Sequence, residues 1–161
     1  MKSEIDKTAL SIESASSIDD VESINQFFNS PEIKKDLHWF TYRDTLERAF
    51  ERDDRKLYYV EEASGTLIGA LMVWCESRVL DKDEGQIRLV AVSRVARGAG
   101  IGRYLCEKAE EFAQSQKKTH MIADVVNGSP AVGFWKSLNY HIQNEWETKK
   151  GTNMVTLRKP L

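Results

Sequence analysis

The sequence predicts a mixed β-sheet carrying helices, an α/β or α+β fold, and three observations predict it. Strand-like and helix-like apolar periods follow one another in the order β-α-α-β-β-β-α-β-α-β-β. Residues 86 to 126 read as strand, amphipathic helix and strand, a βαβ unit whose two strands should run parallel through a right-handed crossover. The length of 161 residues, 41% hydrophobic and 30% charged, suits one domain, 1–161, with a real core.

Taken in order, Thr8 to Ala15 alternates weakly and is a first strand. Asp19 with Glu22 resembles a helix start, and Ile18, Val21, Ile24 and Phe28 follow at helical spacing. Pro31 opens a second helix bearing Ile33, Leu37 and Phe40, then a shifted stripe of Trp39, Tyr42, Leu46 and Phe50. The shift marks either a break or two faces with different partners. Leu57 to Glu61 and Thr66 to Trp74 are strands joined through Ser64-Gly65 as a hairpin. Ser77 to Gly85 is polar and acidic and reads as a loop, and Gln86 to Val92 as the next strand.

The third helix carries Ile101, Leu105, Ala109, Phe112 and Ala113 on one side and Arg103, Glu107, Lys108, Glu110 and Glu111 on the other. Thr119 to Val126 is a strand. Pro130 to Leu138 is a short helix with proline in its first turn. Tyr140 to Trp146 and Asn153 to Arg158 form a last strand pair around Lys150-Gly151. No internal repeat, low-complexity tract or linker interrupts this order.

Composition excludes several classes. A formal net charge of −2 supplies no basic field for nucleic acid. Met1 to Lys7 lacks the apolar stretch of a signal peptide, and the longest apolar run, Leu67 to Cys75, is too short to span a bilayer. Cys75 and Cys106 sit in apolar-periodic segments and are expected as buried free thiols in a reducing cytoplasm. Neither they nor His38, His120 and His141 fall at metal-ligand spacing, so no metal is expected.

The most informative stretch is Arg97-Gly-Ala-Gly-Ile-Gly102, between the strand ending at Val92 and the helix beginning at Ile101. Glycines at every second position let a ligand approach the backbone. The helix that follows presents unpaired N–H groups and a positive dipole end, a setting for an anionic, phosphate-bearing ligand. A Walker A loop is excluded, because Arg103 and Tyr104 follow Gly102 where lysine and serine or threonine are required. A dinucleotide fold is disfavoured. Although Asp124 lies at a strand end where a ribose-binding acid would be, Arg103 takes the third glycine position and Ser93 to Ala96 separate strand from glycines. Too little chain also follows Asp124 for a doubly wound sheet.

The segment Val92-Ser-Arg-Val-Ala-Arg97-Gly-Ala-Gly100-Ile-Gly102 resembles the acyl-CoA signature Arg/Gln-x-x-Gly-x-Gly/Ala of the GCN5-related N-acetyltransferases (GNAT). A second segment, Ala131-Val-Gly-Phe134-Trp135-Lys136-Ser-Leu138-Asn139-Tyr140, is similar to that family's Ala-Ile-x-Leu-Tyr-x-Lys-Leu-Gly-Phe, and Asn127 resembles the asparagine ending the preceding strand. The element order also fits. The likeness is specific from the fourth strand to Tyr140 and topological elsewhere. It implies a largely antiparallel sheet with a splayed parallel βαβ centre and helices on both faces.

The resemblance further implies an acyl-CoA-dependent N-acyltransferase, most simply one moving acetyl from acetyl-CoA to a primary amine by direct attack. Arg97, Gly98, Ala99, Gly100, Ile101 and Gly102 would bind the coenzyme's phosphates, Arg97 either adding charge there or remaining a solvated surface residue. Val90 and Val92 would bind the pantetheine arm, and the Val90 N–H would polarise the thioester carbonyl. Asn127 would face the gap, unless it is only a turn residue before Gly128. Trp135 stands where the family often has a proton-donating tyrosine. It is either a wall of the thioester pocket or a core aromatic, and an indole cannot supply a proton. Tyr140 or Tyr104 are substitutes, as is water.

The general base is open between Gln86, at a family glutamate position, and Glu84, which otherwise is a solvated loop charge. The acidic loop of Glu76, Asp81, Asp83 and Glu84 either attracts a cationic acceptor or is merely solvated. Asn139, for the usual glycine, tolerates a left-handed turn. The partners implied are a small-molecule amine or a peptide or protein amine, with a homodimer possible because dimers are common in the family. The alternative reading is a catalytically idle acyl-CoA-binding module, suggested by Trp135 and Gln86 in the proton-transfer positions.

Overall fold

A computed structural model describes residues 10–37 and 41–161. The proposed N-terminal polar stretch, the first two residues of the expected first strand, and His38, Trp39 and Phe40 lie outside the described residues. The secondary-structure elements are β1 (Ile12–Ser14), α1 (Ile18–Phe28), α2 (Pro31–Leu37), α3 (Arg43–Glu51), β2 (Arg55–Glu61), β3 (Leu67–Trp74), β4 (Glu84–Val92), α4 (Ile101–Ser115), β5 (His120–Val126), α5 (Pro130–Ser137), β6 (His141–Glu147) and β7 (Asn153–Pro160), with a 3₁₀ turn at Arg94–Ala96.

The shifted stripe after Pro31 resolves into two helices, α2 and α3, one more than the expected order. α1 starts earlier than Asp19 suggests. Ser17 is the cap and accepts from the Asp20 N–H at 3.2 Å, while the Asp20 carboxylate takes the Ser16 N–H at 2.9 Å, a reciprocal box that leaves Asp19 to the helix dipole. Of the expected α1 stripe, Val21, Ile24 and Phe28 are buried, each such side chain contributing about 1.5–3 kcal/mol, whereas Ile18 in the first turn is exposed.

Among the described residues seven strands form one sheet in the order β1-β2-β3-β4-β5-β7-β6. Every neighbouring pair is antiparallel except β4 and β5, which α4 joins as a parallel crossover. The β2–β3 hairpin turns on Gly65 (φ 89°). α1, α2 and α3 cover one face, where Val21, Ile24, Phe28, Ile33 and Leu46 pack on Leu57, Ala70 and Met72. α4 and α5 cover the other, where Leu105, Cys106, Ala109 and Trp135 pack on Leu71, Val73, Met121 and Leu157. The helices α1 to α3 lie over the β2–β4 half, leaving their face of β5, β7 and β6 open. The two cysteines are free and buried. Burial pushes the Cys75 thiol up to about 11 and the Cys106 thiol higher still, so neither is a nucleophile near neutrality.

Candidate functional site

The parallel pairing of β4 with β5 is short. It holds at Glu84↔His120, Gly85↔Met121 and Gln86↔Ile122 and then stops. β4 continues to Val92 against β3 alone, and β5 continues to Val126 against β7 alone, so the centre of the sheet opens as a V. Which β4 groups face the gap follows from one bond. Ser93 N–H donates to Ile68 O of the β3 side at 2.8 Å. By antiparallel alternation, Ala91 and Leu89 also turn their amides to β3, and Val92 and Val90 turn theirs into the opening. The Val92 carbonyl there accepts the Arg97 Nε at 3.3 Å. A bulge between Met72 and Val73 leaves Arg88 outside the register and sends Ile87 and Leu89 to opposite cores.

The wide end of the V meets the glycine loop. Gly98 (φ 87°) and Gly100 (φ 78°) are both left-handed, and Gly100 is the residue before α4. Tyr104 N–H bonds Gly100 O at 3.0 Å, so the amides of Ile101, Gly102 and Arg103 stand ahead of that bond at the helix mouth. A Cβ on Gly102 would lie 3.1 Å from the Phe134 ring and 3.5 Å from Val92, so any side chain there would press the ring away from α4. The result is a glycine-rich backbone cradle at a positive helix end, which fits a diphosphate. Arg97 borders it with its guanidinium on Asp36 of α2 (2.5 Å). Arg94 shares that carboxylate (3.1 Å), and Arg94 first, then Arg97, hold it below the usual carboxylate range.

At the closed end of the V, on the open sheet face, lies a cleft of about 300 Å³ lined by Glu84, Gln86, Asp124, Trp146 and Thr156 among others. Its floor is a chain of hydrogen bonds. Trp146 Nε1 donates to Thr156 Oγ1 (2.9 Å), Thr156 Oγ1 to Asp124 Oδ1 (2.5 Å), Gln86 Nε2 to Asp124 Oδ2 (3.2 Å), and Arg88 Nη1 to Gln86 Oε1 (3.2 Å). The guanidinium of Arg88 stacks on the Trp74 ring, 4.3 Å from its centroid. The Gln86–Asp124 bond spans from β4 to β5 where their pairing ends.

The residues expected from sequence divide between these features. Val90, Val92 and Arg97 to Gly102 form the gap and the cradle, and Gln86 and Glu84 line the cleft. Glu84 is not a loop charge. β4 begins at it, only 5% of it is exposed, and it receives the Asp81 N–H (3.1 Å) and faces the Arg158 guanidinium (3.8 Å). Trp135 is buried against Phe134 and Tyr140, edge to face at 5.2 and 4.8 Å. Tyr140 is fully buried and donates to Glu110 Oε2 at 2.8 Å, and burial first, then the Glu110 charge, push its phenol far up. Tyr104 lies on α4 beside Gly100, half exposed. Asn127 turns its amide to Glu145 of β6 at 3.4 Å. Asn139 is left-handed as expected (φ 70°). What sequence reading missed is Asp124 as a cleft residue, with Thr156 and Trp146 behind it. The available signal was a lone acid inside the apolar strand His120–Val126.

Among the described residues no group of three or more His, Cys, Asp or Glu is placed to hold a metal ion, and no helix is long and apolar enough to cross a membrane. The model of the acetyltransferase (GNAT) family matches residues 21–140. A search of curated proteins finds no match. Solved structures with this fold include a GCN5-related N-acetyltransferase from Kribbella flavida (20% identity, TM-score 0.75, covering 97% of this chain and 100% of that one). Ard1 from Thermoplasma volcanium is also similar (18%, 0.74, 95% and 98%). So is the ribosomal-protein-S18-alanine N-acetyltransferase from Escherichia coli (14%, 0.70, 94% and 93%). At these identities the likeness is one of fold.

Proposed function

The chain belongs to the GNAT acetyltransferase family, and on that premise we propose that it transfers acetyl from acetyl-CoA to a primary amine by direct attack. One observation carries the reading: the V-shaped gap with inward Val90 and Val92 backbone, opening onto a glycine cradle at a helix start. In this proposal the amides of Gly98 to Gly102 take the diphosphate. The pantetheine arm lies along Val90 and Val92 as a strand would, with Asn127 at the far side of the gap. The Val90 N–H points at the thioester carbonyl and stabilises the oxygen as it gains charge. Bound acetyl-CoA supplies the activated acyl group and a thiolate leaving group.

Neither aromatic at the family tyrosine segment, Trp135 or Tyr140, is free to protonate that sulfur. Trp135 is buried and has only an indole N–H, and Tyr140 is committed to Glu110. A thiol with pKa near ~8.5 departs as thiolate near neutrality and takes its proton from water. The acceptor enters from the open cleft, whose Asp81, Glu84 and Asp124 favour a cationic group.

The test is a melting-temperature shift with acetyl-CoA, together with free-thiol release over small amines and peptides. Wild type should be stabilised by acetyl-CoA and release thiol with at least one acceptor, and Gly100→Glu should abolish both. No stabilisation of the wild type sinks the proposal. Stabilisation without turnover on any acceptor assigns the chain instead to coenzyme binding alone.

A further inference from the structure

We infer that Asp124 is the carboxylate that receives the acceptor's ammonium group and removes its proton, a role resting on the acetyl-transfer reading above. The argument is the polarity of the cleft floor. Trp146 can only donate, so the Thr156 oxygen accepts from it and the single Thr156 hydroxyl hydrogen goes to Asp124. Arg88 can only donate, so Gln86 offers it the amide oxygen and its NH₂ goes to Asp124. Two donor-only groups, from β4 and β6, thus lock both neighbours of Asp124 as donors to it. Every bond in the chain runs toward this one carboxylate. Such an arrangement presents the carboxylate to the cleft purely as a hydrogen-bond acceptor.

Each carboxylate oxygen takes one of these bonds and has capacity for another. The side chain is half-buried and faces the cleft. It stands where β4 and β5 part, at the closed end of the gap that the Val90 amide faces. Gln86 therefore orients the acid and does not replace it. Glu84, the other buried carboxylate in the cleft, is held by the Asp81 amide and Arg158.

The step balances as follows. The ammonium R–NH₃⁺ passes one proton to the Asp124 carboxylate. The freed nitrogen lone pair attacks the acetyl carbon, forming C–N while C–S breaks and the sulfur leaves with the bonding pair. The nitrogen loses a second proton as the amide forms, the thiolate gains one, and Asp124 returns its proton to water through the open cleft. The sum is R–NH₃⁺ plus acetyl-CoA giving the acetamide, coenzyme A thiol and one proton.

The test has two readouts. In the first, thiol release is measured with acetyl-CoA and cadaverine, spermidine or the peptide Ala-Gly-Gly. Asp124→Asn should lower kcat/KM by about 10²- to 10⁴-fold, while the acetyl-CoA melting shift, which reports fold and coenzyme site, is retained. The other charged groups around the cleft, Glu84 and Arg88 on β4, Asp81 in the preceding loop and Arg158 on β7, are unchanged in this variant. In the second readout, coenzyme A-loaded wild type is titrated with cadaverine and the Gln86 side-chain NH₂ is followed by nitrogen-15 NMR, assigned by its loss in Gln86→Leu. The resonance should shift in wild type and stay fixed in Asp124→Asn.

Equal thiol release by wild type and Asp124→Asn overturns the role of Asp124 and leaves acetyl transfer standing. A Gln86 shift that depends on Asp124, with no thiol release by wild type, supports the amine site and overturns acetyl transfer. Absence of the shift in wild type overturns the inference whether or not the variant folds.

Discussion

Placing a methyl group on Gly102 sets two effects of opposite sign against each other. Alanine in a helix is favoured over glycine by about 0.5–1 kcal/mol. Here, however, the added carbon lies 3.1 and 3.2 Å from two atoms of the Phe134 ring and 3.5 Å from Val92. Carbon pairs are comfortable at about 3.5–4.0 Å, so the ring must retreat by about 0.5 Å. Its retreat is resisted by Trp135, packed edge-on at 5.2 Å and itself 3% exposed. Overpacking of this kind costs about 1–3 kcal/mol. Gly102→Ala should therefore lose about 1 kcal/mol net, a fall in Tm of about 2–4 °C for a chain of this size. The assay is urea and thermal unfolding of wild type, Gly102→Ala, Phe134→Leu and the double variant. With the ring gone, the alanine should cost nothing or stabilise. An unchanged penalty in the Phe134→Leu background, or stabilisation of the wild-type background, refutes the steric account.

Three further outcomes are expected. Gly100→Val forces a β-branched residue into a left-handed position (φ 78°), costing about 1–2 kcal/mol and abolishing the melting shift with acetyl-CoA, whereas Gly65→Val, equally left-handed in a distant turn, destabilises but keeps the shift. Tyr140→Phe removes the buried hydroxyl donor to Glu110 and should cost about 1–3 kcal/mol in urea unfolding, with Glu110 still paired to Lys159. Asp36→Asn removes a carboxyl that Arg94 and Arg97 hold below its usual range. Its contribution is present above the ordinary carboxylate range and disappears as pH falls through the lowered value, so wild type should out-melt the variant at pH 7 and the difference should close on acidification.

Local chemistry is what the sequence made readable. Gly65, Gly98, Gly100, Gly151 and Asn139 are left-handed where the turns demand it, and the α4 stripe of Ile101, Leu105, Ala109 and Phe112 is buried as its spacing requires. Gln86 and Glu84 were readable as cleft residues, but the cleft's hydrogen-bonded floor was not, because those bonds join residues far apart. Gln86 meets Asp124 across 38 positions and Thr156 meets Asp124 across 32. Only the insertion of β7 between β5 and β6 puts Thr156 beside Asp124, and no local period encodes that order. Glu84 shows the same limit. Its preceding neighbours are loop-like, while its strand and ion-pair partners are remote in sequence: His120 on β5 and Arg158 on the last strand. The helix break after α2 was visible as a shift of stripe, because two packing faces cannot share one helical register.

The position of β7 has a kinetic consequence. β5 meets its second neighbour across the whole of α5 and β6, so that pairing closes a long loop, and long loops close slowly. A chain in which β1 to β4 have already paired holds Gln86 in place with no Thr156 or Arg158 to complete the cleft. Refolding should therefore recover helix signal and hairpin structure ahead of the chemistry, with activity returning only in the slow phase that docks the final strand.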